Sequence, residues 1–123
     1  MKFTRTFDSE DAIIVNDDGT ETVFTIREVS GKQREDYRNF MYARLDRTAT
    51  DSEGNPTLTK VAGMEAKLLC MCMHDPKGAT VTQAFLDDLP GRVVAGLFQM
   101  AQKLNNLTPT DDQDAQDEEI KNG

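Results

Sequence analysis

The sequence predicts an α+β fold that is mainly α: a small N-terminal β-hairpin, then a compact bundle of three to four helices, then a disordered acidic C-terminal tail. Three observations carry this reading. Residues 12–29 hold two β-rich stretches separated by NDDGTE, a tight-turn sequence. Later stretches space their apolar residues three and four apart, the period of helices with one buried face. The 123 residues suffice for one domain, which at this size buries roughly two-thirds of its unfolded surface.

The elements follow in order. Residues 12–15 (AIIV) are a β-branched run, and residues 22–29 (TVFTIREV) alternate, with Val23 and Thr25 on one side and Phe24 and Ile26 on the other. The pair reads as a hairpin closed by Asp18-Gly19. Residues 3–7 (FTRTF) also alternate and offer a third strand. The hairpin edge is a place for subunits to pair, which makes a homo-oligomer an expectation. Ser30 is the expected N-cap of a first helix over residues 32–46, whose apolar stripe is Tyr37, Phe40, Met41 and Leu45. Residues 47–57, polar and holding Gly54 and Pro56, read as a loop.

A second helix is expected over residues 58–74, with Val61, Met64, Leu68 and Met71 in line, Leu69 and Cys72 beside them, and Gly63 weakening it. Asp75-Pro76-Lys77-Gly78 stops it. Thr80 or Thr82 caps a short helix over residues 83–88, and Pro90 suits the first turn of the last helix. Val94, Leu97, Phe98, Ala101 and Leu104 form that helix's buried stripe, and Asn105-Asn106 ends it. Residues 1–107 therefore make one domain. Residues 108–123, opened by Pro109, hold six acids and one base and cannot bury enough apolar surface to order themselves.

Composition excludes some partners. The chain carries 22 acidic and 14 basic residues, for a net charge of −8. That balance argues against binding nucleic-acid phosphates or an anionic membrane surface. No apolar run is long enough to span a bilayer, and the charged N-terminal stretch is unlike a signal peptide. A cytoplasmic protein is expected.

No residue pattern points to catalysis or to a cofactor. Cys70, Cys72 and His74 suggest metal ligands, but helix positions two apart diverge by about 200°. Only Cys70 and His74 would share a face, and a structural zinc site needs four ligands. Asp17-Asp18 and Asp87-Asp88 are turn residues. The isolated glycines form no phosphate loop, and NDDGTE lacks calcium-loop spacing. What remains is apolar helix surface rich in methionine, a side chain that repacks readily against varied partners.

The layout resembles a known family. The apolar helix running into Cys72-Met73-His74-Asp75, the Gly78 turn, Phe85 with Leu86, the Leu89-Pro90 step, and Leu97-Phe98 followed by Leu104-Asn105 are similar to the tail assembly chaperones of long-tailed, siphovirus-type bacteriophages. The resemblance spans about residues 20–107. It implies a non-enzymatic protein of the host bacterial cytoplasm that coats the helical tape measure protein while the tail tube assembles, and that is absent from the mature virion. It also implies a longer, frameshifted form that links the tape measure protein to the tail tube protein. Candidate partner-binding residues are Met64, Leu68, Met71, Val94, Leu97, Phe98 and Met100, some of which must also build the core. The alternatives are a small acidic regulator that mimics nucleic acid, and a structural tail or head-completion protein.

Overall fold

The NDDGTE segment turns the chain back on itself. The Asn16 amide donates to the Thr20 carbonyl at 2.7 Å, and Gly19 takes φ +86°, a left-handed conformation that glycine adopts without steric cost. The Thr20 amide and hydroxyl both donate to the Asp18 carboxylate and hold it below the ordinary value of 3.8. The hairpin is longer than the AIIV run suggests: β1 (Ser9–Val15) pairs antiparallel with β2 (Glu21–Arg27), Ser9 opposite Arg27 and Val15 opposite Glu21. The computed structural model describes residues 1–50, 56–58 and 63–107; the acidic segment expected at 108–123 lies outside these, as does Val61.

Helix α1 (Gly31–Tyr42) starts where expected. The Ser30 hydroxyl accepts from the Gln33 amide, and the Gln33 side chain accepts from the Ser30 amide, a reciprocal capping box. It ends four residues earlier than predicted. The Arg44 guanidinium reaches back to the Phe40 carbonyl at 3.2 Å and satisfies one of the orphan acceptors of the last turn. Leu45 therefore leaves the helix and opens a strand. The expected loop at 47–57 is corrected at both ends, its residues 51–55 lying outside the described residues: β3 (Leu45–Thr50) pairs antiparallel with β4 (Pro56–Leu58) as a separate ladder. Threonine-rich LDRTAT favours an extended backbone.

Helix α2 (Met64–Cys72) is shorter at both ends than predicted. Gly63 is its N-cap at φ +84° and not an interior weakness. At the other end the C-cap Met73 is already extended (φ −97°, ψ 124°), opposite Ile26 of β2. Met73–His74 then form β5, which pairs antiparallel with β2. The third strand of the sheet is thus this pair and not residues 3–7, which lie in no strand. Thr82, not Thr80, caps α3 (Gln83–Asp87) by accepting from the Phe85 amide at 3.2 Å. Pro90 sits just before α4 (Gly91–Asn105), at its N-cap.

The α+β expectation holds: among the described residues, four helices accompany the antiparallel β1-β2-β5 sheet. α2 is central and touches α1, α3, α4 and β2. Its Met64, Leu68, Leu69 and Cys72 meet Ile26, Tyr37, Met41, Leu97 and Ala101 in the core. Asn105 closes the structure. Its Oδ1 accepts from the Val29 amide at 2.8 Å and its Nδ2 donates to the Ala101 carbonyl at 2.9 Å. Arg34 of α1 donates to the Asn105 and Asn106 carbonyls, the free acceptors of the end of α4. Asn106 turns left-handed at φ 52°, which tucks Leu107 fully into the core.

Candidate functional site

Two grooves carry apolar side chains that the core leaves partly open. The first, of about 420 Å³, lies between the hairpin and the α3 region. The alternation of β1 and β2 aims Ile14 and Phe24 into it. The Thr82 cap fixes the start of α3, which brings the Phe85 ring to 5.3 Å from Phe24, tilted by 34°. Val81 and Leu89 complete an apolar floor, and Asn16, Asp75 and Thr80 supply polar edges. The Asp75 carboxylate accepts from the Lys77 and Ala79 amides, so it also shapes the loop that walls the groove.

The second groove, of about 450 Å³, runs between α1 and α2 and is lined by Phe40, Ala66, Cys70 and Met71 with Arg44 and Lys67. The Arg44 guanidinium lies 3.3 Å from the Phe40 ring centroid, and the Lys67 ammonium 5.5 Å from it. The two grooves therefore differ in charge: a carboxylate lines the first, and two cations line the second.

The structure separates the predicted partner-binding residues into two sets. Met64, Leu68 and Leu97 are buried and belong to the core. Met71, Val94, Phe98 and Met100 are half-buried and pack against that core from its margin. Of the seven, only Met71 lines either groove. The first groove was not legible as a site, because Ile14, Phe24 and Leu89 come from elements that only the fold brings together. The one local signal was Phe85-Leu86, an apolar pair on a helix too short to need both for its own packing.

Neither cysteine sits in surroundings that favour a thiolate. Burial pushes the Cys72 thiol up to about 12. It raises Cys70 too, with the Asp87 carboxylate adding to the effect. Both are thiols at neutral pH, so neither is an activated nucleophile. His74 is in β5, so the expected shared helical face with Cys70 does not form; its Nδ1 lies 3.3 Å from the Gly78 carbonyl. Among the described residues no group of three His, Cys, Asp or Glu side chains could hold a metal ion, and no helix is long and apolar enough to cross a membrane.

No family model matches the chain, and neither a curated protein nor a solved structure shows a significant similarity to it.

Proposed function

We propose that this chain is a bacteriophage tail assembly chaperone: a non-catalytic protein of the host cytoplasm that shields apolar helical segments of the tape measure protein until the tail tube encloses them. One observation carries the reading. The groove of Ile14, Phe24, Val81, Phe85 and Leu89 has an apolar floor and polar edges, the composition of a surface that accepts an apolar side chain from a partner helix. The order of elements supports it, since Phe85, Leu86 and the Leu89-Pro90 step are among the residues that carry the family resemblance. A long helix with exposed apolar stripes aggregates unless covered, and an acidic partner keeps the covered complex dispersed.

The test is co-expression with the tape measure protein. Wild-type chain is expected to keep the tape measure protein in the supernatant. Thr80→Trp, which fills the groove from an exposed position, and Leu89→Glu, which charges its floor, are expected to send it to the pellet while far-UV circular dichroism stays native. If the wild-type chain fails to hold the tape measure protein in solution, the chaperone reading falls. If both folded variants still hold it, the function stands but this groove is not its site.

A further inference from the structure

β1 is an edge strand whose second half, AIIV, has the sequence of an interior one, while Glu10 and Asp11 charge its first half. Ala12 and Ile14 face the core, while Ile13 and Val15 stand 58% and 64% exposed on the opposite face. Val23, directly opposite Ile13 on β2, is 44% exposed. Natural edge strands are protected by lysine, proline or a bulge. Residues 12–15 contain none, and β1 pairs β2 in unbroken register.

The same molecule carries a strand that would fit this edge. Residues 1–7 lie in no strand, yet they alternate as one: Met1, Phe3, Arg5 and Phe7 at odd positions, Lys2, Thr4 and Thr6 at even ones. Met1, Phe3 and Phe7 are exposed. The arm keeps the alternation of β1, because the Phe7 ring centroid lies 4.2 Å from the guanidinium of Arg27, the residue opposite Ser9. The Asp8 carbonyl accepts from the Glu28 amide, and the Asp8 amide donates to the Glu28 carboxylate. Even residues of β1 thus turn their backbone groups toward β2, which leaves those of Ser9, Asp11, Ile13 and Val15 at the open edge.

We infer that two copies of this chain exchange their arms, residues 1–7 of each adding antiparallel to the β1 edge of the other. Edge groups on both strands belong to odd residues, so odd must face odd. Placing Phe3 opposite Ile13 meets this condition and sets Arg5 opposite Asp11, Met1 opposite Val15 and Phe7 opposite Ser9. Sliding by two residues in either direction moves Arg5 to Ile13 or Ser9 and loses the charge pair. The chosen register covers Ile13 and Val15 with apolar side chains and matches opposite charges, both favourable for directly facing residues. Lys2 comes beside Ile14, whose groove Asp75 also lines. Asp8 faces Asp8 at a two-fold axis, so one register serves both copies and closes a symmetric dimer. That like-charge contact is set against two Arg5–Asp11 pairs. An arm cannot make this pairing within its own chain: Phe7 and Ser9 are joined by Asp8 alone, and a hairpin needs at least about two loop residues. The occupant of the edge is therefore a second copy.

Size-exclusion chromatography with light scattering tests the dimer. The full chain at high micromolar concentration is expected to weigh twice its 13.7 kDa. Deleting residues 1–7, and separately Ile13→Lys at the exposed edge, should return it to the monomer mass with unchanged circular dichroism. Cross-linking tests the register. Thr6 faces Glu10 as a non-hydrogen-bonded pair, with Cα atoms about 4.5 Å apart, within disulfide reach. Within one chain these residues are about 13 Å apart along an extended strand. A mixture of Thr6→Cys and Glu10→Cys chains should form a disulfide-linked dimer under mild oxidation. Either variant alone should give no more than the wild-type background from Cys70 and Cys72. A monomeric wild-type chain, a dimer that survives loss of residues 1–7, or equal cross-linking by a single variant would each overturn the proposal.

Discussion

Asn105 shows how much one buried side chain can organise. It ends α4, accepts the Val29 amide that leads into α1, and lends its carbonyl to Arg34. Asn105→Ala leaves the Val29 amide without its acceptor in a partly buried site, which costs about 1–3 kcal/mol. The urea midpoint should fall accordingly, and an unchanged midpoint would show that water replaces the side chain there. The residue was legible in the sequence only as a helix stop, because nothing local to Asn105-Asn106 shows that Val29 and Arg34 lie beside it. The same limit applies to the candidate site. The apolar stripe of α4 predicted that Leu97 would be covered, but not that Val94 and Phe98 would remain half open at the margin of the core.

At the scale of elements, the sequence was most legible where a cap or turn is chemically local. Ser30 with Gln33, Thr82 with Phe85, and Asp18-Gly19 all act through neighbours within a few residues. It was least legible where a segment has two nearly equal local solutions. Residues 58–74 carry helical spacing throughout, yet among the described residues there the helix is Met64–Cys72 and Leu58 is strand. Pairing with β2 takes Met73–His74, and the left-handed Gly63 sets the start. Glycine substitutions separate these effects. A Cβ at Gly63 meets only Phe40 Cζ, at an ordinary 3.7 Å, so Gly63→Ala pays for conformation and not for a clash. The expected loss is about 1–2 kcal/mol. Gly96→Ala, inside α4 with nothing within 4 Å of the new Cβ, should instead gain up to about 1 kcal/mol. Thermal or urea unfolding of the two variants must move in opposite directions; shifts of the same sign would contradict the assigned helix start.

Across the whole molecule, the core sets the response to alkali. Burial pushes Cys72 from 9.0 and Tyr37 from 10.0 up to about 12, and the nearby Cys72 adds to the rise at Tyr37. The Gln102 side chain acts against the Tyr37 shift, but among the described residues no group makes a hydrogen bond of full geometry to the phenolic oxygen. Both groups hold their protons more tightly in the folded than in the unfolded state. Their contribution to stability is complete below pH 9.0 and is lost as pH rises toward about 12. The urea midpoint should therefore be lower at about pH 11 than at about pH 8, and Cys72→Ala should flatten the early part of that decline. Equal midpoints at the two pH values would refute the burial argument. The α+β class, the hairpin turn, the Ser30 cap and the apolar faces of the helices are legible in the chain alone, because each follows from periodicity or from contacts a few residues apart. The tertiary structure alone decided that β5 completes the sheet, that Met64, Leu68 and Leu97 are core, and that Ile14, Phe24, Phe85 and Leu89 share a groove. Those outcomes depend on distant segments competing for the same neighbours, and local sequence does not encode which of them wins.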